Sequence, residues 1–256
     1  MDKLKSEKLK SFFSQNSETA VAFSGGVDSA VLLMYAVRYA KRVKAYFVKS
    51  QFQPQFELED ALRVAEMLNA ELEVISADIL CDEKVASNPE NRCYYCKKRV
   101  FGAILTAAGK DGFDTVLDGT NFTDDISDRP GYKALQEMKV LSPLRECGIS
   151  KAEIRAAAEE NGLSVAHKPS YACLATRIPC GTYITAELLE ITEAAENELK
   201  SLGFSNFRVR YADGAARLEL GKREHALLKE KREQVTQILL KYYNDFYVDS
   251  KERADE

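Results

Sequence analysis

The sequence predicts an α/β protein with a parallel sheet and helices on both faces, followed by a smaller C-terminal α+β domain. Buried strand patterns such as TAVAF, VKAYFVKS and LEVIS alternate with helical patterns in the first part of the chain. Such repeats favour parallel strands joined by right-handed crossovers. After Lys168 the pattern changes to a charged helix followed by short strand-like runs, which indicates a second domain.

The first elements are an N-terminal helix and a unit of strand, loop and helix. MDKLKSEKLKSFFSQNSE alternates lysines with apolar residues at helical spacing. TAVAFSGGVDSAVLLMYAVRYA predicts a buried strand, a glycine turn and an apolar helix that begins at Ser29. VKAYFVKS is the second predicted strand, and LEDALRVAEMLNAELEVISAD predicts a helix followed by a strand.

The first domain is predicted to span residues 1–165. A helix from about Asn91 to Ala108 precedes DTVLDGTN, a predicted strand that ends in a polar loop. The segment ISKAEIRAAAEENG predicts a helix with Ser150 as its N-cap, Glu153 completing a capping box and Gly162 as its stop.

The second domain is predicted to span residues 166–250. It contains the loop KPSYACLATRIPCGTYIT, the helix AELLEITEAAENELKSLGF, the strands FRVRYA and AARLELG, a helix from about 223 to 241 and the strand-like FYVD. The tail at 251–256 is predicted to be disordered.

The charge balance argues against broad electrostatic attraction to nucleic acid or to anionic membranes. Lysine and arginine total 36 against 40 acidic residues, a net charge of -4. The N-terminus lacks the apolar core of a secretory signal, and no apolar run reaches about 18 residues. We therefore expect a cytoplasmic protein with no nucleic-acid or membrane partner.

The segment SGGVDS, from Ser24 to Ser29, predicts a phosphate-binding loop. It lies where a strand passes into a helix, so unpaired backbone N–H groups and the positive end of the helix dipole meet there. Gly25 and Gly26 allow backbone to approach an anion, and the serine hydroxyls add donors. The loop lacks the GK[ST] ending of a Walker A motif. The alternative is a tight glycine turn with serine caps.

The loop resembles the PP-loop signature of the adenine nucleotide α-hydrolase superfamily. The resemblance implies that ATP is cleaved between its α and β phosphates and that AMP is left on the substrate. The pyrophosphate would bind at Ser24, Gly25, Gly26, Asp28 and Ser29. Asp28 would help to place Mg²⁺, and Asp118 of LDGTN would lie beside the nucleotide.

Six cysteines in a chain without an export signal favour thiols that are buried, catalytic or metal-bound. Cys93 and Cys96 are three residues apart, which places both sulfurs on one helix face. One alternative is a zinc site, which would need four ligands, and a second is a redox-active dithiol. Together with Cys173, the two cysteines would supply three thiolates, which suits an iron–sulfur cluster with one open iron. Cys180 is either a fourth ligand or a packing residue, and Cys81 and Cys147 have no companion motif.

Eight motifs together resemble the LarE-type sulfur transferases of nickel-pincer cofactor biosynthesis: SGGVDS, NRCYYCKKRVF, LDGTN, SDRPGYKAL, ACLATRIPCGT, SLGF, FRVRY and ARLEL. The resemblance implies an enzyme that adenylylates a pyridinium dicarboxylate mononucleotide and converts its carboxylates to thiocarboxylates. It also implies a homo-oligomer.

The same resemblance assigns roles in the second domain. Glu196, Arg208, Arg210 and Glu219 match positions near the substrate and its phosphate. Because Arg208 and Arg210 alternate along a strand, they share a face and can clamp a phosphate. The alternative is a surface charge ladder with Glu219 as a cross-strand partner. Arg177 would hold the adenylate or a carboxylate, or pin its loop.

The family contains two kinds of member. One gives up the sulfur of a single cysteine, whereas the other carries three cysteines thought to hold a [4Fe-4S] cluster that receives sulfide from a donor. The consumed cysteine would lie at Ala172 here. The resemblance therefore implies that Cys93, Cys96 and Cys173 are catalytic cluster ligands. Cys180 stands where the family more often has tyrosine, which leaves the ligand set open.

Three other functions compete with this interpretation. A PP-loop tRNA thiolase would be expected to need a broad basic surface or an added RNA-binding module, and neither is visible. An ATP-dependent amidating synthetase has no use for three clustered thiols. A nucleotide-binding scaffold does not explain a pyrophosphate loop together with thiols.

Overall fold

The computed structural model describes residues 2–126, 130–169 and 171–253. The chain divides into two compact units. The first comprises Met1–Ile79 and Asn91–Ser170, and the second comprises Leu80–Glu90 and Tyr171–Glu256. The division near residue 170 lies close to the boundary expected from the sequence, but the inclusion of residues 80–90 in the second unit has no counterpart in the sequence pattern.

The first unit is built on a four-stranded parallel sheet of order β3-β2-β1-β4. The strands are β1 (Glu18–Ala22), β2 (Arg42–Lys49), β3 (Leu72–Ser76) and β4 (Val116–Leu117). Strand β4 has only two residues, and Leu117 makes a further parallel bridge to Leu141. The crossovers place all four strand carboxyl ends at one edge of the sheet.

Helices cover both faces of this sheet, as predicted. The helices of the first unit are α1 (Lys3–Gln15), α2 (Val27–Tyr39), α3 (Gln55–Met67), α5 (Arg92–Lys110), α6 (Pro130–Glu137), α7 (Pro143–Glu146) and α8 (Lys151–Glu160). On β2, Ala45 and Phe47 join the core formed with α1, α2, α3 and α8. Tyr46 and Val48 join a separate core with α5 and α6. Alternate strand residues thus reach opposite faces.

The predicted capping box of α8 is confirmed. The Ser150 hydroxyl accepts from the Glu153 backbone N–H, and the Glu153 carboxylate accepts from the Ser150 N–H at 2.9 Å. Gly162 has φ 67°, which suits the end of the helix. The motif SDRPGYKAL contributes α6 from Pro130 onward, and its residues 127–129 lie outside the described part of the chain.

The second unit is a smaller α+β unit, as predicted. Its helices are α4 (Glu83–Ala86), α9 (Ala186–Ser201), α10 (Glu224–Glu230) and α11 (Arg232–Tyr242), with a 3₁₀ turn at Leu174–Arg177. Its strands are β5 (Phe207–Ala212), β6 (Ala215–Leu220) and β7 (Asp245–Val248). The sheet has the order β5-β6-β7, with β5 and β6 antiparallel and β6 and β7 parallel.

The turn between β5 and β6 consists of Asp213 and Gly214, with φ values of 48° and 87°. Positive φ at both central residues matches the right-handed twist of a hairpin. The helix expected at 223–241 is two helices, because Lys231 adopts φ −109° and ψ 22° and interrupts the helical backbone.

The C-terminal segment continues beside β6 beyond the end of β7. The Asp249 N–H donates to the Leu218 carbonyl and the Arg253 N–H donates to the Leu220 carbonyl, each at 2.9 Å. The sequence predicts disorder from residue 251. Residues 254–256 lie outside the described chain, whereas Arg253 is anchored by this bond and by a bridge to Gly221.

No helix in the described residues is long and apolar enough to cross a membrane.

Candidate functional site

The predicted phosphate loop joins β1 to the N-terminus of α2. The hydroxyls of Ser24 and Ser29 lie 3.0 Å apart, and the Ser29 hydroxyl also bonds to the Ser24 N–H and to the Gly26 carbonyl. Gly26 is the N-cap of α2 and makes no side-chain capping bond. The serines thus close the loop, and the loop lies at the positive end of the α2 dipole.

Two glycines allow backbone segments to pack closely around this loop. Gly25 has φ 72°, and a Cβ there would lie 3.0 Å from the Ala61 N and from the Glu57 carbonyl oxygen of α3. A Cβ on Gly119 would lie 2.9 Å from the Ser29 N. Gly119 therefore lets the loop after β4 contact the first turn of α2.

The Asp28 carboxylate is held by groups from two other elements. One oxygen accepts from the Asn121 side-chain amide at 3.2 Å, and the other contacts the Lys151 ammonium at 2.5 Å. Lys151 is the first residue of α8. Asn121 is buried, and its own side-chain oxygen accepts from the Thr123 N–H and hydroxyl. The carboxylate is thus fixed at the helix N-terminus.

Asp118 lies in the loop after β4, as predicted, and is buried. Its carboxylate accepts from the Ser142 hydroxyl at 2.6 Å and from the Thr120 hydroxyl, and its N–H donates to the Leu141 carbonyl. These bonds join the two loops beside the strand carboxyl ends. The contact between Asp118 and a nucleotide stays a prediction.

The six cysteines are free thiols and lie in different surroundings. Cys93 and Cys96 lie in the first turn of α5, one exposed and one half-buried. Cys173 belongs to the second unit and immediately precedes the 3₁₀ turn. No group of three or more His, Cys, Asp or Glu side chains placed to hold a metal ion is found in the described ranges. The predicted ligand set therefore remains a sequence-based expectation.

The remaining cysteines fit packing or surface positions. Cys147 is buried, and burial raises the pKa of its thiol. Cys81 is exposed. Cys180 is exposed, and its thiol lies 3.4 Å from the Asn88 carbonyl, which also accepts from the Gly181 N–H at 2.9 Å. Cys180 thus borders the contact between residues 80–90 and the loop after the 3₁₀ turn, inside the second unit.

Arg177 and Glu196 form a buried ion pair, with side chains 0% and 2% exposed. The guanidinium makes two bonds to the carboxylate, at 2.7 and 3.2 Å, and also donates to the Ala172 carbonyl. Glu196 accepts from the Tyr171 hydroxyl and from the Val209 N–H. Its pKa is lowered because the bonds from Arg177 and the others outweigh burial.

This ion pair anchors the segment that carries Cys173 to α9 and β5. The geometry matches the alternative in which Arg177 pins its loop, and the bonds of Glu196 are those of a positioning residue. A direct catalytic role for either residue stays a prediction.

The predicted phosphate residues lie together on the β5–β6 hairpin. Arg208 is buried, and its guanidinium lies 5.0 Å from the centre of the Tyr171 ring. Arg210 is half-buried and contacts the Glu219 carboxylate at 2.5 Å and the Thr176 carbonyl. Glu219 thus serves Arg210 as a cross-strand partner, but the burial of Arg208 does not fit a surface charge ladder.

The sequence analysis did not predict roles for Lys151, Tyr171, Lys200 or Arg253, and it included Asn121 only as the last residue of the LDGTN loop. Lys151 contacts a residue 123 positions earlier in the chain, so no local pattern pointed to it. Lys200 offered a weak signal, since it follows Glu196 by one helical turn. Arg253 lies in a charged terminal segment without periodicity.

Comparisons with known proteins decide the family. A family model described as queuosine biosynthesis protein QueC matches residues 18–88. The chain is 37% identical over 219 residues to an uncharacterised protein of Synechocystis sp., covering 84% of this chain and 81% of that protein. It is 36% identical over 202 residues to the pyridinium-3,5-bisthiocarboxylic acid mononucleotide synthase of Lactiplantibacillus plantarum, covering 78% and 73%. The chain belongs to the LarE family.

A more distant likeness extends to a tRNA thiouridylase. The tRNA-specific 2-thiouridylase MnmA of Thermotoga maritima is 28% identical over 193 residues, covering 59% of this chain and 54% of that enzyme. As a LarE-family member with a PP-loop fold, the protein is an ATP-dependent sulfurtransferase. The phosphate loop, Asp28 and Asp118 belong to its first unit, and the ion pair and hairpin arginines belong to its second.

Proposed function

We propose that this sulfurtransferase adenylylates a carboxylate of a pyridinium dicarboxylate mononucleotide and converts it to a thiocarboxylate. Support comes from the L. plantarum relative, whose name describes a pyridinium bisthiocarboxylic acid mononucleotide as its product. A carboxylate oxygen attacks the α-phosphorus of ATP, and the bond between that phosphorus and the bridging oxygen breaks. Pyrophosphate leaves, and hydrosulfide then replaces AMP at the acyl carbon.

The observation that carries the proposal is the phosphate loop at the N-terminus of α2, with Asp28 in the first turn. The loop N–H groups and the helix dipole suit the leaving pyrophosphate. The Asp28 side chain is 23% exposed and presents hard oxygen donors, which fits a Mg²⁺ ligand. Bound Mg²⁺ would neutralise charge on the leaving group. Lys151 adds a cation beside the same carboxylate.

We further propose that sulfur is delivered through a [4Fe-4S] cluster held by Cys93, Cys96 and Cys173. The i,i+3 spacing of the first two thiols in one helical turn suits two ligands of one cluster. Three protein thiolates would leave one iron able to bind hydrosulfide. Ala172 stands where a consumed cysteine would have to lie, which favours reloading with sulfide from a donor.

The proposal is tested by pyrophosphate release from ATP and Mg²⁺ in the presence of pyridinium-3,5-dicarboxylate mononucleotide. We expect Asp28→Asn to lower the rate by about 10²-fold, because a preorganised charge at the leaving group is lost. Asp114→Asn is the matched control, since Asp114 is exposed and precedes β4 at the opposite edge of the sheet. Its rate should equal that of the wild type.

Thermal melting of both variants separates loss of function from loss of fold. Full ATP-dependent activity of the Asp28→Asn protein would show that the loop does not take part in the reaction. Pyrophosphate release that requires tRNA and does not depend on the mononucleotide would show that tRNA, and not the mononucleotide, is the substrate.

A further inference from the structure

The Asp28 carboxylate holds a cation that belongs to the protein itself. The Lys151 ammonium lies 2.5 Å from one carboxylate oxygen, and the Asn121 amide donates to the other oxygen at 3.2 Å. The proposed function gives the same carboxylate to Mg²⁺. The ammonium therefore lies where a metal ion bound to that oxygen would compete with it.

The ion pair is open to solvent, so the ammonium can leave it while the protein stays folded. The side chains of Lys151 and Asp28 are 31% and 23% exposed. Ion pairs of this exposure contribute little to stability, because water screens them and because fixing two side chains costs entropy. The contact at Asp28 is therefore easy to break.

The backbone of Lys151 is fixed, although its ammonium is not. Lys151 follows the N-cap Ser150 at the start of α8, and its N–H donates to the Thr123 hydroxyl at 3.2 Å. The capping box between Ser150 and Glu153 holds the same turn. A lysine carries its ammonium on a flexible stem of four carbons. The charge can therefore move while the backbone stays in place.

The packing of α2 against α8 does not depend on this ion pair. Ala30 and Leu33 of α2 are buried in the same apolar core as Ile154 and Ala157 of α8. Burial of apolar surface drives such packing without any need for charge. The ion pair at the N-terminal ends of the two helices is thus available for a task other than holding them together.

A metal ion and the ammonium cannot both occupy one oxygen of Asp28 at close range. Mg²⁺ binds oxygen at about 2.0–2.1 Å in near-octahedral geometry, commonly through one or two carboxylates together with nucleotide phosphates. A positive ammonium beside the same oxygen repels a divalent cation. Each cation therefore excludes the other from this carboxylate.

We infer that Lys151 is an exchangeable placeholder for Mg²⁺ at Asp28. In the nucleotide-free protein, its ammonium neutralises the carboxylate and competes with free divalent cations. When Mg²⁺ arrives with ATP, the metal displaces the ammonium, and the phosphates that came with the metal balance its charge. This inference rests on the proposed function, which gives Asp28 to Mg²⁺. It makes Lys151 a positioning residue that ties metal binding to nucleotide binding.

The exchange couples the two ligands thermodynamically. Without nucleotide, the apparent affinity for the metal is reduced according to the fraction of molecules in which Lys151 holds Asp28. ATP gives Lys151 another counterion and so relieves the competition. ATP should therefore raise the affinity for the metal, and by linkage the metal should raise the affinity for ATP by the same factor.

The test measures binding of Mn²⁺ alone to the whole protein, from the EPR signal of free Mn²⁺. Lys151→Met removes the charge and keeps a side chain of similar length. It should bind Mn²⁺ about 10-fold more tightly than the wild type, because the competing cation is gone. Lys151→Arg keeps the charge and should bind Mn²⁺ as weakly as the wild type.

Calorimetric titration with ATP, in Mn²⁺ and in EDTA, measures the coupling. The factor by which Mn²⁺ raises the ATP affinity should be about 10-fold smaller in Lys151→Met than in the wild type. A lysine that only stabilises the fold would not change this factor. Thermal melting identifies a Lys151→Met protein that fails to fold, and Lys151→Gln then takes its place.

Two further variants locate the effect. Adding Asp28→Asn to Lys151→Met should abolish the tight Mn²⁺ site, which would assign it to this carboxylate. Lys110→Met is the matched control, because Lys110 is an exposed lysine at the end of α5. It should bind Mn²⁺ as the wild type does. Tightening equal to that in Lys151→Met would indicate a general effect of net charge and would overturn the inference.

Equal Mn²⁺ affinity of the wild type and Lys151→Met would also overturn the placeholder, as would tight binding by Lys151→Arg or a tight site that survives Asp28→Asn. These measurements use only Mn²⁺ and ATP, whereas pyrophosphate release with the mononucleotide tests the proposed function separately. A protein that shows the exchange but releases no pyrophosphate would retain the placeholder and lose the proposed reaction.

Discussion

Residues around the phosphate loop differ in how far local sequence determines their role. Ser24 and Ser29 were predicted from the loop motif, and their hydroxyls bond across it. The carboxylate of Asp28 was also predicted to lie there, but its ammonium partner Lys151 was not. That contact joins α2 to α8 and depends on the packing of the two helices, which a local motif does not encode.

Gly119 offers a test of the close approach between the β4 loop and α2. We expect Gly119→Ala to lower ATP affinity and to cost about 1–3 kcal/mol of folding stability. The added Cβ would meet backbone atoms of Ser29, which cannot rotate away. The measurements are ATP titration and urea unfolding.

Gly102→Ala is the matched control for this substitution. Gly102 lies inside α5, and a Cβ there meets nothing within 4 Å. The change should therefore stabilise the protein by up to about 1 kcal/mol through helix propensity and leave ATP affinity unchanged. Unchanged ATP affinity in Gly119→Ala would show that the close approach does not shape the site.

Among the elements, α8 was predicted in detail because its signals are local. The capping box lies within four residues, and Ser150 and Glu153 make both of its bonds. The helix predicted at 223–241 was wrong in its continuity, since the backbone at Lys231 leaves the helical region. Helices α10 and α11 each bury a leucine, Leu228 and Leu239 respectively, in the core of the second unit. The spacing of apolar residues alone therefore does not predict the break between the two helices.

Glu153 also makes the contribution of α8 to folding stability depend on pH. The Lys5 ammonium, 2.7 Å away, and the Ser150 bonds together lower the pKa of Glu153 from 4.5 to about 2 against the opposing effect of burial. A carboxyl whose pKa is lower in the folded state stabilises the fold above its unfolded pKa. That contribution is lost as the pH falls from about 4.5 towards 2.

We expect Glu153→Gln to lower the free energy of unfolding by about 1 kcal/mol at pH 7, a modest value because both side chains are partly exposed. Glutamine can still complete the capping box, so the change isolates the charge. The gap from wild type in urea unfolding should narrow as the pH is lowered from 5 to 3. Glu160→Gln, exposed in the same helix, is the control, and a gap independent of pH would contradict the assignment.

At the scale of the whole molecule, the sequence predicted an α/β part with a parallel sheet followed by a smaller α+β part, but it did not predict that residues 80–90 belong to the second compact unit. Residues 80–90 join the second unit, where the Ala86 carbonyl accepts from the Ile184 N–H and the Asn88 side chain donates to the Pro179 carbonyl. These bonds are long-range and use backbone groups that carry no sequence signature. The position of Arg253 was likewise not predicted, because it is fixed by a long-range bond from its N–H to the β6 backbone.

The residues of the proposed reaction are divided between the two units. The first contains the predicted phosphate loop, Cys93 and Cys96, and the second contains Cys173. The central claim is that the three cysteines act together and that sulfur passes through the enzyme without consuming any of them.

The most direct measurement of that claim counts product per polypeptide in anaerobic turnover with excess sulfide, followed by intact mass analysis of the protein. The account predicts several products per chain and an unchanged mass at Cys173. Changing Cys93, Cys96 or Cys173 to alanine should remove the brown chromophore and sulfur transfer but spare adenylylation. One product per chain, with Cys173 losing the mass of H₂S and becoming dehydroalanine, would contradict it.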